Sequence, residues 1–321
     1  MDLIDKKILK IIGMNSRASV NYIAKSIGKS KETVNYRLNR MIKDKTILSF
    51  YTNINGGKLG FYYYKILLKY KTMNSETEKV MLAFLKKNKN MVWVGNCDGE
   101  YQLMISLLVR DLGELNNFLN SFLGKFGNYL YDKEIMQITS FDVLNENYLD
   151  VNVGEKSSMR EDVTCSKEDV AKIDLKILRI LAGDARIKLI DMSKKINMTA
   201  EAISYRIKNL VNRGIISNFK TRIDYSKLGY LYYQVLLSLN DLKVKQKIID
   251  KFTNHANCVS IIEFIGKYDL QLEVVVKNVE ELRDILDDLR KDHGKQIHAY
   301  TPLTIYKEHG AVVFPMLDEK R

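Results

Sequence analysis

The 321-residue sequence has little proline, cysteine and histidine, and it has no long apolar run. The only prolines, Pro302 and Pro315, leave most of the chain free to form long helices. The cysteines, Cys97, Cys165 and Cys258, form no C-x-x-C pair, so we expect neither a disulfide framework nor a zinc ribbon. The four histidines do not cluster with cysteines or carboxylates at ligand spacing. The sequence therefore predicts no metal site and no cofactor.

The sequence also lacks the features of a membrane or secreted protein. No run approaches the roughly 18 apolar residues that a membrane-spanning helix needs. The first residues alternate charge with Ile and Leu at helical spacing, unlike a signal peptide. An odd number of isolated cysteines fits a reducing compartment. We therefore expect a cytoplasmic protein with no membrane partner.

Positive charge is concentrated in two segments of the chain. Residues 1–60 hold 12 Lys and Arg against 4 Asp and Glu, and residues 169–229 hold 13 against 6. The remaining residues hold 26 against 29, although the whole chain carries a net charge of +12. Compact basic blocks are typical of nucleic-acid-binding modules, because cationic side chains neutralise phosphates. A basic surface without a partner is the alternative.

The sequence is an internal duplication. Shifting it by 169 positions aligns residues 4–64 with 173–233 without a gap, and 21 of the 61 pairs are identical. An offset of 167 then places the Gly-x-Tyr-x-Leu element that begins at Gly99 on the one that begins at Gly266. Between the copies, residues 146–168 are polar and show no sustained hydrophobic period, so we interpret them as a linker.

The first half of each copy is predicted to be helical. Apolar residues at i, i+3 and i+4 spacing predict three helices, the last of them over residues 31–43. Ser30 is a suitable N-cap for this helix, and Thr199 is its counterpart in the second copy. A strand over residues 47–54 follows and would form a wing, as would residues 216–223 in copy two. This order is that of a winged helix-turn-helix.

The second half of each copy is predicted to contain the order βαββαβ. This order is that of a ferredoxin-like unit, in which two helices cover one face of an antiparallel sheet. The sheet of the other copy is the obvious candidate to cover the bare face. The fold class is therefore α+β, with winged helix-turn-helix and ferredoxin-like sensor domains, the pair duplicated. The predicted bounds are 1–58 and 59–145 for the domains of copy one, 146–168 for the linker, and 169–227 and 228–321 for the domains of copy two.

Several motifs resemble those of the leucine-responsive/asparagine regulator (Lrp/AsnC) family. The matching residues are Ile-Asp-x-Lys-Ile-Leu at the start of each copy, Arg17 and Arg186, Ser30 and Thr199, Tyr-Arg at 36–37 and 205–206, and Lys-Leu-Gly at 58–60 and 227–229. The chain looks like two tandem copies of this family fused in one polypeptide. The resemblance implies transcription regulation, self-association through the sensor domains, and often an amino-acid-like effector.

The third helix of each copy is the predicted reader of double-stranded DNA. Its packing face, Val34, Leu38 and Met41 in copy one, leaves the opposite face free to reach bases or phosphates. The predicted DNA-binding residues are Ser30, Lys31, Thr33, Asn35, Tyr36, Asn39, Arg40 and Lys43 in copy one, and Thr199, Ser204, Tyr205, Lys208, Asn209, Asn212 and Arg213 in copy two. A solvated helix face is the alternative. Arg37 and Arg206 fit a structural ion pair as well as a base contact.

The two reading faces differ from each other. The differing pairs are Asn35 and Ser204, Asn39 and Lys208, Arg40 and Asn209, and Lys43 and Asn212. A homodimer has two identical readers and therefore recognises a palindrome. The fused chain is expected to act as a single-chain pseudo-dimer that prefers an asymmetric or imperfectly palindromic site.

An effector site is predicted where the Gly-x-Tyr elements open a strand, because the resemblance implies effector binding near this region. The candidate residues are Gly99, Tyr101, Gln102, Gly266, Tyr268 and Asp269. The carboxylate of Asp269 can pair with a ligand ammonium group, whereas Gln102 offers only a neutral hydrogen bond. Copy one is therefore expected to bind differently or not at all. The alternative is that both glycines only close hairpin turns.

Two other functions are open at this point. Siroheme decarboxylases resemble the same two-domain unit, and that resemblance implies a His-Asn-Tyr type cluster in the sensor half. The corresponding residues 92–104 and 260–272 contain no histidine, and no nucleophile–base pair or phosphate loop is evident, so we expect no enzyme. An interaction module that has lost DNA binding is the other alternative. It is disfavoured because a decayed reader has no reason to retain its charge.

Overall fold

The computed structural model, which describes residues 1–153 and 159–309, contains two copies of one order of helices and strands. Copy one consists of α1 (Leu3–Met14), α2 (Val20–Ile27), α3 (Lys31–Lys43), β1 (Ile47–Ile54), β2 (Tyr62–Tyr70), α4 (Ser75–Lys87), β3 (Met91–Asp98), β4 (Leu103–Val109), α5 (Leu112–Phe126) and β5 (Leu130–Val143). A short strand, β6 (Met159–Asp162), follows. Copy two consists of α6 (Lys172–Gly183), α7 (Leu189–Ile196), α8 (Ala200–Asn212), β7 (Ile216–Ile223), β8 (Leu231–Leu239), α9 (Lys245–Thr253), β9 (Cys258–Ile265), β10 (Leu270–Val276), α10 (Val279–His293) and β11 (Ile297–Glu308). The α+β fold class is confirmed.

The third helix of each copy begins where the sequence predicts it. The side chains of Ser30 and Thr199 accept hydrogen bonds from the backbone N–H three residues further on, which satisfies one of the free donors of the first turn. The preceding turn closes on a residue in the left-handed conformation, Gly28 in copy one and Asn197 in copy two. The α2–α3 and α7–α8 pairs are thus two equivalent helix-turn-helix units.

The strands of the two sensor halves form one closed sheet. Its order is β2-β4-β3-β11-β8-β10-β9-β5, and β5 pairs back onto β2. The first part of β5 pairs with β2 and its second part with β9, while β11 pairs first with β8 and then with β3. Each copy therefore contributes a long last strand to the sheet of the other. The enclosed side holds a shared core that includes Leu67, Met104, Leu236, Phe264 and Leu303, and the helices lie outside.

The two predicted wing strands pair with each other. β1 and β7 form an antiparallel two-stranded sheet. β1 packs on α6 of copy two, where Thr52 Oγ1 donates to Leu181 O at 2.8 Å. β7 packs on α1 of copy one, where Thr221 Oγ1 donates to Ile12 O at 2.7 Å. The two predicted wing strands are present with the expected bounds, and the ladder partners of each belong to the other copy.

The segment interpreted as a linker places several side chains in the cores of the two copies. Tyr148 and Leu149 are buried against the helices of copy one, and Val163 is buried in the shared core. The hydroxyl of Tyr230 donates to Tyr148 O at 3.0 Å, and β6 pairs with β5. The described residues of this linker, 146–153 and 159–168, therefore contribute apolar side chains to the junctions between the copies.

Candidate functional site

Both third helices expose the face that the sequence assigned to DNA. Val34, Leu38 and Met41 of α3 are buried, as are their equivalents in α8. The most exposed of the large reading side chains are Tyr36, at 68% exposure, and Tyr205, at 71%. The other exposed members are Ser30, Lys31, Asn35, Asn39, Arg40, Lys43, Thr199, Lys208, Asn209 and Asn212, while Thr33, Ser204 and Arg213 are half-buried. The duplicated sequence thus produces two comparable polar surfaces.

Arg37 and Arg206, which occupy equivalent positions of the two copies, form structural ion pairs. Arg37 Nη1 lies 2.5 Å from Asp2 Oδ2 and 3.0 Å from Asp5 Oδ1. Arg206 Nη1 lies 3.0 Å from Asp174 Oδ1. The hydrogen bond from Arg37 is the main cause that lowers the pKa of Asp2 to about 2. Both arginines therefore tie the third helix to the first, which favours the ion-pair alternative over base contact.

Two of the predicted DNA-binding side chains form ion pairs within the protein. Arg40 Nη2 lies 2.5 Å from Asp5 Oδ2. Arg213 Nη2 lies 3.0 Å from Glu168 Oε2 and donates to Asp169 O at 2.6 Å. These ion pairs compete with DNA for the two guanidinium groups, and both residues stay predicted DNA contacts. The exposed predicted residues of the two helices outside such ion pairs are Lys31, Asn35, Tyr36, Asn39 and Lys43 in α3, and Tyr205, Lys208, Asn209 and Asn212 in α8.

Arg17 and Arg186 hold the two helix-turn-helix units together, a role that sequence reasoning missed. Arg17 Nη1 donates to Ala185 O at 2.5 Å and to Ile187 O at 3.4 Å. Arg186 makes the reciprocal pair of bonds into copy one. Arg186 donates to the carbonyl oxygens of Ser16 and Ala18. The guanidinium of Arg17 lies over the ring of Phe219, and that of Arg186 lies over the ring of Phe50. Burial lowers the pKa of both guanidinium groups, as expected for cations enclosed between two units.

The tyrosines of the predicted effector site lie in the protein interior. Tyr101 and Tyr268 are each 1% exposed. The hydroxyl of Tyr101 accepts a hydrogen bond from Lys267 Nζ at 2.8 Å, and that of Tyr268 lies 3.2 Å from Thr301 Oγ1. Neither ring lines the cavity described below. These two side chains stabilise the shared core and are not presented to a ligand there.

The remaining predicted effector residues close hairpin turns. Gly99 has φ +136° and Gly266 has φ +148°, and a Cβ on Gly99 would lie 2.7 Å from Leu303 Cδ2. Gln102 Nε2 donates to Gly99 O at 3.0 Å, and Asp269 Oδ2 accepts from a backbone N–H at 2.7 Å. A side chain cannot fit at Gly99, and both polar groups are already hydrogen-bonded. The geometry favours the turn-closing alternative over a ligand site.

A cavity of about 310 Å³ lies between the two-stranded wing sheet and the closed sheet. Lys65 on β2 is 2% exposed, and its Nζ donates to Gln271 Oε1 at 2.6 Å and to Gln234 Oε1 at 3.2 Å. The amide nitrogens of both glutamines donate to Glu273 Oε1, at 2.8 Å from Gln271 and 3.2 Å from Gln234. These four residues form a buried polar network on the floor of the cavity.

The charges of this network are shifted by their surroundings. Burial lowers the pKa of Lys65 to about 8, and the charge of Glu273 acts against that shift. Burial likewise raises the pKa of Glu273. The network was not predicted, although the sequence held a signal: Lys65 interrupts the apolar strand YYYKILLKY, and Gln234 occupies the same position in copy two. A polar residue at an inward strand position needs a buried partner.

Residues 1–153 and 159–309 contain no group of three or more His, Cys, Asp or Glu side chains placed to hold a metal ion. No helix in these ranges is both long and apolar enough to cross a bilayer.

The two helical segments match a known family model. Residues 1–47 and 171–217 each match the family described as winged helix-turn-helix DNA-binding. These ranges contain the α1–α3 and α6–α8 units, and so the tandem repeat predicted from the sequence is confirmed at the helix-turn-helix.

Relatives of known name match one unit at a time. The HTH-type transcriptional regulator FL11 of Pyrococcus furiosus is 30% identical over 141 residues, covering 42% of this chain and 91% of FL11. Regulatory protein AsnC of Haemophilus influenzae is 30% identical over 119 residues, covering 37% of this chain and 79% of AsnC. The crystal structure of the siroheme decarboxylase NirDL matches with a TM-score of 0.63 at 12% identity, covering 97% of this chain and 96% of NirDL, which shows a shared fold only. The chain belongs to the Lrp/AsnC family of helix-turn-helix transcription regulators, with two units of that family fused in one polypeptide.

Proposed function

We propose that the protein is a sequence-specific, DNA-binding transcription regulator that acts as a single-chain pseudo-dimer. One observation carries this proposal: α3 and α8 present equivalent exposed polar faces, and interleaved contacts hold the two units together. The contacts are the β1–β7 pairing and the reciprocal bonds of Arg17 and Arg186. The names of FL11 and AsnC support the same function, as does the positive charge of both helical segments.

The fused readers are expected to recognise an asymmetric site. Asn39 in α3 and Lys208 in α8 occupy equivalent exposed positions but offer different chemistry. An Asn amide can bond an adenine edge with two hydrogen bonds, whereas Lys offers a point charge suited to guanine or phosphate. The two half-sites of the preferred sequence therefore differ. Regulation by a small-molecule effector is a further part of this proposal.

Selection from a pool of random duplexes tests the proposal. We expect sequencing of the bound fraction to give two unlike half-sites, and we expect anisotropy titrations to show affinity falling steeply with salt. Asn39→Ala should relax base preference in one half-site only, at a cost of about 1–3 kcal/mol. Lys79→Ala, an exposed lysine on α4, is the matched control and should leave binding unchanged. Enrichment of a perfect palindrome contradicts asymmetric reading, and binding without any enrichment contradicts sequence-specific function.

A further inference from the structure

The cavity between the wing sheet and the closed sheet contains a buried carboxylate with an unused oxygen. Glu161 on β6 is 8% exposed and lines the cavity. Its Oε2 accepts a hydrogen bond from Asn53 Nδ2 at 3.2 Å. Its Oε1 and the neighbouring Ser217 hydroxyl both have no hydrogen-bond partner among the described residues. A buried carboxylate oxygen without a donor is costly, so this atom is suited to receive one from a ligand.

The basic side chains that line the cavity in the described structure are already engaged. Lys220 Nζ lies 3.0 Å from Glu146 Oε1, and Arg222 Nη2 lies 3.0 Å from Glu308 Oε2. Lys65 donates to the two glutamine oxygens of the buried network. A ligand carboxylate or phosphate would compete with these acceptors for the same cations. The cavity therefore lacks a ready site for an anion and favours a ligand that brings a hydrogen-bond donor.

Aromatic side chains form much of the remaining wall. The aromatic lining residues are Tyr51, Tyr63, Trp93, Phe141, Tyr225 and Tyr232. Their rings offer apolar area to a hydrophobic body and a favourable quadrupole to a nearby cation. The volume of about 310 Å³ lies at the lower end of the range for small-molecule sites. These dimensions and surfaces fit a small amphipathic molecule.

We propose that this cavity binds a small arylalkylamine, whose ammonium group is held by Glu161 Oε1 and whose ring packs among the aromatic lining. The ligand is an amine and not the corresponding amino acid, because a carboxylate finds no unengaged cation. Both wing strands line the cavity, through Tyr51 on β1 and Arg222 on β7. A bound amine would therefore contact the sheet that joins the two DNA-reading units. As an effector site this assignment rests on the proposed function, whereas binding itself does not require DNA.

Isothermal titration calorimetry on the full chain without DNA tests the assignment. Titrations at pH 8 compare phenethylamine and tyramine with phenylalanine and tyrosine, which add a carboxylate, and with 2-phenylethanol, which lacks the charge. We expect both amines to bind at least about tenfold more tightly than the amino acids and the alcohol. Equal or tighter binding of the amino acids overturns the proposal, as does failure of all these compounds to bind.

Two variants locate the site. Glu161→Gln keeps the shape of the side chain and removes its charge, so amine affinity should fall by at least about tenfold. Ser106→Phe, at a lining position on β4, should abolish binding by filling the cavity. Glu76→Gln, an exposed residue on α4, is the matched control and should bind as the unchanged protein does. Amine binding that survives both cavity variants overturns the proposed location. Amine binding by a chain that fails to select any DNA sequence would contradict only the proposed function.

Discussion

Arg17 and Arg186 each link the helix-turn-helix unit of one copy to that of the other. Each guanidinium donates to two backbone carbonyls of the other copy and lies over a phenylalanine ring. Charge-assisted hydrogen bonds of this kind are worth about 1.5–3 kcal/mol, because their loss leaves buried carbonyls without a donor. We expect Arg17→Ala and Arg186→Ala each to lower the free energy of unfolding by about 2–3 kcal/mol, measured by urea denaturation.

An exposed arginine outside these contacts provides the control for the Arg17 and Arg186 variants. Arg179 is an exposed arginine on α6, and Arg179→Ala should change the free energy of unfolding by less than about 0.5 kcal/mol. A near-zero effect at Arg17 or Arg186 would show that the cross-copy bonds do not hold the units together.

Glu161 makes stability depend on pH. Burial is the largest influence on its carboxyl and raises the pKa from 4.5 to about 7, against the opposing effects of the Ser217 hydroxyl and the Lys58 charge. Because the pKa in the folded protein exceeds that in the unfolded chain, the native state holds the proton more tightly. The stability that this provides is complete below pH 4.5 and is lost as the pH rises through about 7.

A shift of this size corresponds to about 3 kcal/mol between low and high pH. Glu161→Gln cannot titrate at this position, so we expect its melting temperature to fall less than that of the unchanged protein between pH 5 and pH 8. Differential scanning fluorimetry at several pH values measures the difference between the two proteins. Parallel pH profiles would mean that Glu161 is not the titrating group.

At the scale of elements, the reading faces of α3 and α8 determine the symmetry of the preferred DNA site. Replacing the four differing residues of α3 by those of α8 gives two identical faces. The substitutions are Asn35→Ser, Asn39→Lys, Arg40→Asn and Lys43→Asn. We expect duplex selection with this variant to yield a near-palindromic site in place of an asymmetric one, because equal readers prefer equal half-sites. An unchanged asymmetric site would show that residues outside these helices set the sequence preference.

The bounds of α3 were predictable from sequence, because caps and packing periodicity are local properties. Ser30 caps α3, and the i, i+4, i+7 face of Val34, Leu38 and Met41 is buried. The partner of a strand is not a local property. The residues of β1 favour a strand whichever partner it has. Its pairing with β7 depends on how two distant copies approach each other. The pairing of β1 with β7 was therefore not predicted.

The candidate DNA-binding surface also combines properties that local sequence predicts with properties that depend on tertiary packing. The exposure of Asn35, Tyr36 and Asn39 follows from helical periodicity alone. The engagement of Arg40 by Asp5 does not, because it joins α3 to α1 through tertiary packing. The central cavity was missed for a related reason. Its lining comes from both copies and from β6, a segment whose polar composition resembles that of a loop.

At the scale of the whole molecule, fusion has allowed the interior to become asymmetric. Lys65 and Gln234 are equivalent positions of the repeat, as are Ser106 and Glu273. In a homodimer two lysines would face each other across the axis, which is unfavourable for buried like charges. Here Lys65 meets Gln234 and Gln271 instead, with Glu273 beyond them. The divergence of the two copies within one chain therefore places a lysine and a glutamate in one polar network, which identical copies would not do.

The closed sheet and the interleaved wings predict that both copies unfold together. Ile105 on β4 and Leu272 on β10 are equivalent positions of the repeat, and each is fully buried in the core beneath its own pair of helices. Replacing either by alanine creates a cavity that costs about 2–5 kcal/mol. Because β5 and β11 each belong to the sheets of both copies, damage to one copy also loosens strands of the other. We expect the unchanged protein, Ile105→Ala and Leu272→Ala each to unfold in a single calorimetric transition, which lies at lower temperature in the two variants. The van't Hoff enthalpy should equal the calorimetric enthalpy.

Two separate transitions in a variant, one of them at the temperature of the unchanged protein, would show that the copies are independent folding units despite their shared strands.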